Sequence, residues 1–334
     1  MSEINMHQLK DRADKLEDIT DEQWNLCLKE NREMVNEYLK VNKQLSAKTK
    51  IQYTTCLKQF FMFVQDELNN KPWYKISKRD FIRYMSAMQD RDLSSSAIGI
   101  RKSAVSSMCK YIENVVIEDD SPEDIKKFRN FTVGMPSVAK NSVYEKVAIT
   151  KEEYEILLNK LKEQEDYLAM AWVATAFNTA ARRAELIQFK TEIINYAIKD
   201  DKNYIITHNV RGKGSGKEGK IIQYMVNLEA LEYIKLWIEK RGYEHEYIFT
   251  VKIGNEFHRI SESWANNLCQ EKLTNILGRR INPHLFKASC ITYLLAKGID
   301  LKIVSRYIGH HNDVLTTSNF YDLRDFEEEK DQIF

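Results

Sequence analysis

The sequence contains a histidine and a lysine whose spacing suits the binding of an anion. His284 and Lys287 lie three positions apart in "NPHLFKASC", so a helix places them on one face. Asn282 and Pro283 are typical of a helix start, where unpaired N–H groups attract anions. The pattern predicts a bound phosphate, and the simpler interpretation is a pair that is exposed or satisfied within the protein.

A glycine-rich stretch, "RGKGSGKEGK", could carry a lysine to the same anion. It is not a nucleotide-binding P-loop, because Arg211 replaces the first glycine of that motif and Glu218 replaces its Ser/Thr. The flanking runs "KNYIITHNV" and "KIIQYMVNL" are rich in β-forming residues and predict a hairpin. The candidates on this hairpin are Lys213, Lys217 and Lys220, and the alternative is a flexible tip with solvated lysines.

An arginine in "NTAARRAELI" is a further candidate for holding an anion. We predict that Thr179 caps a helix whose first turn contains Arg182. An arginine at that end opposes the helix dipole and is tolerated when an anion lies nearby. The alternative is an ordinary surface arginine that pairs with Glu185 or Glu165.

The stretch "RYIGHHNDVLTTSNFYDL" contains two adjacent histidines and a tyrosine. His310 and His311 are not accompanied by Cys, Asp or Glu at the spacing of a metal site, so we predict no metal. Tyr321 is either an aromatic residue of the core or a nucleophile.

The elements that position these residues are predicted to be mostly helices. Only 11 Gly and 4 Pro occur among 334 residues, which indicates few turns. That length exceeds one ordinary core and predicts two domains. No apolar run is long enough to span a membrane, and the charged N-terminus lacks an apolar signal segment. The 5 scattered cysteines are typical of reduced, mostly buried thiols, so we expect a cytoplasmic location.

Helical periodicity and breaker residues divide the chain. We predict an N-terminal helical extension over residues 1–40, a helical bundle over 41–118, a linker over 119–147 and a second domain over 148–334. The extension ends in one helix over residues 21–40. Thr150 and Glu153 form a capping box at the first helix of the second domain.

Charge is distributed unevenly, although the net charge is only +1. Residues 1–40 contain 10 acids and 6 bases, residues 41–118 contain 13 bases and 7 acids, and residues 322–334 contain 6 acids and 2 bases. A basic middle between acidic ends predicts a surface that faces DNA. The alternative is a solvated face of mixed charge.

Taken in order, these stretches resemble the tyrosine recombinase, or phage integrase, family. Its boxes are T-G-x-R-x-x-E-L, a lysine in a G-K-G hairpin, H-x-x-R, L-G-H and a following Tyr; this chain has "TAARRAEL", "RGKGSGK", "HLFK", "IGHH" and "TSNFY". The resemblance covers residues 40–323. It implies a mainly α fold, with an N-terminal core-binding helical bundle and a C-terminal catalytic-type domain that adds a small antiparallel β-sheet.

The resemblance implies a metal-free and cofactor-free reaction in which a tyrosine attacks a phosphate of double-stranded DNA and forms a 3′-phosphotyrosine. Tyr321 corresponds to the nucleophile and Lys213 to the general acid. The phosphate clamp corresponds to Arg182, His284, Lys287 and His310. The predicted DNA contacts are Lys48, Thr49, Lys50, Ser95, Arg101, Lys102, Arg183 and Lys217.

The boxes depart from the family pattern in three ways. Lys287 stands where the family has an arginine, whose rigid fork grips two phosphate oxygens while a lysine offers one mobile charge. Ala180 replaces the glycine of the first box, and the doubled Arg182–Arg183 leaves its register open. The interval before Tyr321 is longer than is usual in the family, which predicts that Tyr321 is displaced from the phosphate.

These departures favour a protein that binds a specific double-stranded DNA site, has lost or impaired strand cleavage, and regulates transcription as a phage or prophage repressor. The alternative is an active site-specific recombinase of a phage or mobile element. In either case we expect the acidic tail over residues 322–334 to support self-association on DNA.

Overall fold

The computed structural model describes residues 14, 16–135, 146–198, 202–212, 214 and 219–324. The chain divides into two compact units, Met1–Glu145 and Lys146–Phe334. Helices predominate, and three small antiparallel sheets lie in the second unit, so the mainly α fold is confirmed. No helix among the described residues has both the length and the apolar character needed to cross a membrane.

The first unit is a helical bundle built around aromatic side chains. Its helices are α1 (Asp21–Leu26), α2 (Lys29–Val41), α3 (Ala47–Glu67), α4 (Lys78–Asp90), α5 (Ser95–Tyr111) and α6 (Glu123–Lys126). Ser46, Ser77 and Ser94 cap α3, α4 and α5, each accepting a bond from the N–H three residues on. At the centre, the rings of Phe60 and Tyr84 lie 5.0 Å apart, edge to face.

The single helix predicted over residues 21–40 is wrong, because a side chain replaces helical hydrogen bonds at a break. Asn70 Oδ1 accepts a bond from Leu28 N at 3.0 Å, and its Nδ2 donates to the Leu26 carbonyl oxygen at 3.0 Å. Cys27 between them is extended. Helix α2 therefore starts anew at Lys29.

The first part of the predicted linker over residues 119–147 belongs to the packed core of the first unit. Phe128 and Phe131 are buried, and the ring of Phe131 lies 5.6 Å from that of Phe81. Residues 136–145 lie outside the described part of the chain.

The second unit is organised around one apolar helix. Its helices are α7 (Lys151–Glu163), α8 (Tyr167–Thr179), α9 (Arg183–Leu186), α10 (Leu228–Arg241), α11 (Glu262–Asn267), α12 (Thr274–Leu277), α13 (Pro283–Ala296), α14 (Leu301–Ile303) and α15 (Val314–Phe320). Helix α8 is buried on nearly every side and packs against α7, α10 and α13. Thr150 and Glu153 form the predicted capping box at α7.

The strands form two hairpins. In the first, β1 (Tyr204–Ile206) pairs with β4 (Met225–Asn227), and β2 (Val210–Gly212) pairs with β3 (Lys220–Ile222). In the second, β5 (Thr250–Ile253) pairs with β6 (Glu256–Arg259). Sequence reasoning missed the second hairpin because all four residues of β6 are exposed, so no alternation of apolar and polar residues marks it.

Candidate phosphate-binding site

Arg182 precedes helix α9 and is held by Glu185. The predicted cap at Thr179 is wrong, because α8 continues through that residue, whose hydroxyl donates to the Thr175 carbonyl oxygen, and Arg182 is itself the N-cap of α9. The Glu185 carboxylate accepts bonds from the Arg182 backbone N–H at 2.8 Å and from its Nη1 at 3.1 Å. The Tyr224 hydroxyl donates to the same carboxylate at 2.5 Å.

Glu185 is a buried carboxylate that remains ionised. Burial acts to raise its pKa, but the hydrogen bond from Tyr224 and the charge of Arg182 outweigh burial and leave the pKa lowered. The carboxylate therefore orients the guanidinium of Arg182. That side chain stays 24% exposed, so part of it can meet an anion from solvent.

Helix α13 begins as predicted, but the two candidate residues in its first turns face different surroundings. Asn282 caps the helix by accepting a bond from Leu285 N at 3.1 Å, and Pro283 takes the first helical position. His284 is exposed, whereas Lys287 is fully buried. The shared helix face therefore does not give both residues access to a ligand.

The ammonium group of Lys287 is bound to backbone oxygens of the protein itself. Its Nζ donates to the carbonyl oxygens of Ala180 and Gly309, each at 2.9 Å. Burial, and then the positive charge of Arg182, lower the pKa of Lys287 to about 7. A neutral amine retains two N–H groups, which matches the two carbonyl acceptors. Lys287 thus joins the end of α8 to the turn before His310.

Ala180, which replaces the family's glycine, adopts a backbone conformation that glycine tolerates better. Its φ is +52°, and the residue is fully buried at the C-cap of α8. The left-handed conformation costs a residue with a Cβ about 1–2 kcal/mol. The bond from Lys287 to its carbonyl oxygen helps to hold this turn, which leads directly into Arg182.

Tyr321 lies within the same cluster of side chains as His284, His311 and Lys287, and its displacement from a bound phosphate stays a prediction. Its ring centroid lies 5.2 Å from that of His284 and 4.6 Å from that of His311, and Lys287 Nζ lies 5.7 Å from it. The longer interval is accommodated because the chain after α15 folds onto α13. Thr292 on that helix donates to the Tyr321 carbonyl oxygen at 3.0 Å.

Tyr321 is buried. The residue is 7% exposed, and burial raises the pKa of its phenol, while the charge and hydrogen bond of Arg182 offset part of that rise. The phenol is therefore protonated at neutral pH. Attack on a phosphate would require that the phenol lose its proton and that the phosphate come into contact with the phenol oxygen.

The adjacent histidines occupy different places. His310 has a φ of +51° and packs edge to face on Tyr224 at 4.8 Å, whereas His311 lies against the tyrosine of the cluster and its Nδ1 is 2.7 Å from Thr317 Oγ1. Burial, followed by the charge of Lys287, lowers the pKa of His310 to about 4 and of His311 to about 3. Within the described residues, neither Nε2 has a hydrogen-bond partner, and both atoms are buried.

Sequence reasoning did not include His311 among the site residues. The doubled histidine in "IGHH" could have indicated His311, because the motif alone does not show which of the two histidines lies at the site. The structure places the second ring, His311, beside Tyr321.

Of the three hairpin lysines, only Lys220 is among the described residues, and Lys213 and Lys217 lie outside them. Lys220 Nζ donates to the His310 carbonyl oxygen at 3.2 Å and to Asn312 Oδ1 at 3.1 Å. The hairpin thus reaches the histidine turn. No group of three or more His, Cys, Asp and Glu gathers to hold a metal in the part of the chain that the structure covers.

Several predicted DNA contacts already have partners in their own unit. Arg101 Nε donates to Gln59 Oε1 at 3.1 Å, and Lys102 Nζ donates to the Met135 carbonyl oxygen at 3.3 Å. Arg183 pairs with Glu262 at 3.2 Å and also donates to Asn266. Each of these three keeps N–H donors that these bonds do not use, since a lysine ammonium has three and an arginine guanidinium has five.

The remaining predicted contacts lie near helix starts. Lys48 is exposed and Lys50 half-buried in the first turn of α3, and Thr49 Oγ1 lies 2.8 Å from Ser46 Oγ at its cap. Ser95 is the first residue of α5. Two helix N-termini therefore carry the lysine, threonine and serine side chains proposed for DNA phosphates.

Comparison with known proteins gives matches over both units. Residues 148–327 match the phage integrase family model, and residues 36–114 match the phage integrase N-terminal SAM-like domain. The SPbeta prophage-derived recombinase-like protein YomM of Bacillus subtilis strain 168 is 53% identical over 332 residues, covering 99% of this chain and 98% of that protein. Tyrosine recombinase XerC of Histophilus somni strain 2336 is 23% identical over 299 residues, 87% of this chain and 91% of that protein.

Solved structures share the fold at low sequence identity. The Tn1549 transposon integrase in complex with circular intermediate DNA superposes with a TM-score of 0.67 at 16% identity, covering 91% of this chain and 99% of that one. A lambda integrase tetramer bound to a Holliday junction gives a TM-score of 0.64 at 16% identity, covering 89% and 79%.

Proposed function

Because the chain belongs to the phage integrase family of tyrosine recombinases, we propose that it binds a specific double-stranded DNA site, cleaves it poorly or not at all, and represses transcription in a phage or prophage. The observation that carries this proposal is the position of Lys287. The residue that replaces the family's arginine is fully buried and donates to two backbone carbonyl oxygens.

Binding to double-stranded DNA is supported by the matches across both units. The Tn1549 and lambda integrases that share the fold are described in complex with DNA. In this chain the bundle over residues 41–118 is the proposed DNA-binding domain, and it carries an excess of basic residues. Arg182, partly exposed beside ionised Glu185, provides a phosphate contact in the second unit.

Impaired cleavage is supported by the hydrogen-bond partners of Lys287, which stands where the family has an arginine. An arginine fork offers two parallel donors to a phosphate, whereas the Lys287 amine is directed to Ala180 and Gly309. The charge that would balance the pentavalent phosphate is reduced further because the pKa of Lys287 is lowered to about 7. Binding of a ground-state phosphate can survive such losses better than catalysis, which depends on donors that act in the transition state.

One observation favours the alternative of an active recombinase. Tyr321 lies beside His284 and His311 and interacts with Arg182, so a nucleophile is present among residues that can bind phosphate. A repressor binds at promoters, whereas a recombinase binds at a core of inverted half-sites. The positions of the bound sites therefore distinguish the two functions.

We expect genome-wide mapping of the bound protein to find several sites that overlap promoters. In vitro transcription from those promoters should fall when the protein is added, and Tyr321→Phe should repress equally well because it keeps the fold and the DNA contacts. A single bound site with two inverted half-sites, and no effect on transcription, would instead indicate a recombinase.

Affinity for the DNA site is expected to fall steeply as salt is raised, because each phosphate contact releases counterions. Lys48→Ala should lower the slope of log K against log salt by about 1, and so should Lys50→Ala. Lys235→Ala, which changes an exposed lysine of α10, is the control and should leave the slope unchanged. Fluorescence anisotropy over a salt series measures this, and affinity that is insensitive to salt would contradict DNA binding of this kind.

Self-association on DNA through the acidic tail remains part of the proposal. Residues 325–334 lie outside the described part of the chain, so the support is the charge of the tail and the lambda integrase tetramer in the fold comparison. A chain truncated after Arg324 should bind a single half-site normally and lose cooperative binding to a double site. Cooperativity equal to that of the full chain, measured by gel shift, would exclude a role for the tail.

A further inference from the structure

Tyr224 lies outside the five recombinase boxes but contacts the candidate phosphate clamp at two points. Its hydroxyl donates at 2.5 Å to Glu185, the carboxylate that holds Arg182, and its ring packs edge to face on His310 with the centroids 4.8 Å apart. The side chain is fully buried. In the sequence it is one aromatic residue in the β-forming run "KIIQYMVNL", and nothing in that run distinguishes it from an ordinary core residue.

The backbone of Tyr224 is fixed where strand β3 passes into strand β4. Its N–H donates to Thr207 Oγ1 at 2.9 Å, and its carbonyl oxygen accepts a bond from the Thr207 N–H, also at 2.9 Å. Thr207 is 1% exposed, so these bonds face little competition from water. The phenol hydroxyl is therefore presented to Glu185 from a backbone that is itself held in place.

The Glu185 carboxylate has little freedom to turn away from Arg182. Its Oε2 accepts bonds from the Tyr224 hydroxyl and from the Arg182 N–H at 2.8 Å, while its Oε1 accepts a bond from Arg182 Nη1 at 3.1 Å. A Cβ added to Gly212 would lie 3.1 Å from Oε1, so the backbone of β2 also confines the carboxylate. The bond from Tyr224 thus fixes the rotation of the carboxylate, and the carboxylate directs the guanidinium.

Removal of the Tyr224 hydroxyl would change both the charge and the direction of this carboxylate. Burial acts to raise the pKa of Glu185, and the bond from Tyr224 is the strongest of the contacts that oppose burial. Without that bond the pKa rises and the carboxylate can rotate. The Arg182 N–H still donates to Oε2, so the buried oxygen keeps a partner and we expect the fold to be retained.

We propose that Tyr224 is a positioning residue that acts through Glu185 and holds the guanidinium of Arg182 in the direction that meets a DNA phosphate. The proposal rests on the proposed binding of DNA by Arg182, but the guanidinium is held before DNA binds and its motion is measured without DNA. Tyr224→Phe isolates this role, because it removes the hydroxyl and keeps the ring that packs on His310.

Nuclear magnetic resonance relaxation of the Arg182 Nε–H group, in the full-length protein without DNA, tests the proposal. The loss of one signal in Arg182→Lys identifies this group. We expect its order parameter to be near the rigid limit of about 0.85 in the natural chain and to fall below about 0.6 in Tyr224→Phe. An order parameter that is the same in both chains would overturn the proposal.

Tyr154→Phe is the matched control. Tyr154 is also fully buried in the second unit, and its hydroxyl donates at 2.8 Å to Glu229, which is not a candidate site residue. The change removes the same kind of bond, and the order parameter of Arg182 should stay as it is in the natural chain. If Tyr154→Phe loosens Arg182 as much as Tyr224→Phe does, a general loss of stability is the cause and the proposed role of Tyr224 is wrong.

A double-mutant cycle on DNA binding shows whether the phosphate contact depends on Tyr224. Arg182→Ala should weaken binding to the protein's own DNA site by about tenfold or more in the natural chain, because a charged hydrogen bond is lost, and by at most about threefold in the Tyr224→Phe chain. Tenfold losses in both chains would overturn the proposal. If Arg182→Ala changes neither affinity, the proposed phosphate contact of Arg182 fails, and the relaxation measurement decides whether Tyr224 positions its guanidinium.

Discussion

On nicked duplexes that contain its own footprinted site, the protein is expected to form a covalent adduct at least about 100-fold more slowly than an active tyrosine recombinase on its own nicked site. The loss of one preorganised transition-state donor typically reduces the rate by about 10²–10³. Here the donor at position 287 is directed to the carbonyl oxygens of Ala180 and Gly309 and is fully buried. Denaturing gels over a time course measure the adduct.

Tyr321→Phe is the control for this measurement. It should remove any residual adduct and leave the affinity for DNA unchanged, because the packing of the buried ring is kept. Adduct formation as fast as in the active comparator, and lost in Tyr321→Phe, would show that the chain is a working recombinase.

Lys287→Arg tests whether the missing arginine alone impairs cleavage or whether the surrounding site has also changed. The side chain lies in a fully enclosed space, where added volume typically costs about 1–3 kcal/mol of stability. We expect the variant to be less stable and to form no more adduct than the natural chain, since its donors still meet the two carbonyl groups. An increase in adduct would indicate that the clamp alone limits cleavage.

Lys287→Met is expected to lower the free energy of unfolding by about 2–4 kcal/mol at pH 9. The change keeps most of the side-chain volume but leaves the carbonyl oxygens of Ala180 and Gly309 without a donor, and each buried unpaired group costs about 1–3 kcal/mol. Urea unfolding of the full chain, followed by circular dichroism, measures the difference. Lys235→Met, at an exposed position on α10, should change stability by less than about 0.5 kcal/mol.

The cost of Lys287→Met should shrink as the pH is lowered. The native pKa of Lys287, about 7, lies below its ordinary value of 10.5, so between these values the unfolded chain holds a proton that the native chain has released. Raising the pH through this window therefore favours the native state of the natural chain, by up to about 1.4 kcal/mol per unit. From pH 9 to pH 6 we expect the difference from the variant to shrink by about 3 kcal/mol. Parallel pH dependences would show that the buried amine does not titrate in this window.

The sequence by itself determined the features that depend on neighbouring residues. Asn282 and Pro283 start α13, Thr150 and Glu153 start α7, and the serines start the helices of the bundle, because a cap is a hydrogen bond over three residues. The order of the recombinase boxes in the sequence also indicated the family, and the family implied the mainly α fold. The comparisons confirm both the family and the fold.

Local rules failed where a distant side chain replaced a local bond. Asn70 divides the helix predicted over residues 21–40, and the packing of α8 carries it through Thr179, so that Arg182 becomes a cap. In each case the competing partner is remote in sequence or is fixed by tertiary packing. Spacing within one segment cannot indicate it.

Only the tertiary structure decided what the lysine of "NPHLFKASC" does. Its spacing from His284 predicts a shared face, but α13 packs on α8, which turns Lys287 toward Ala180 and Gly309 and leaves His284 exposed. The same packing brings Tyr321 into the cluster despite the longer interval before it. The direction in which a side chain points is fixed by long-range contacts between helices, and these contacts distinguish a phosphate ligand from a residue that holds the backbone together.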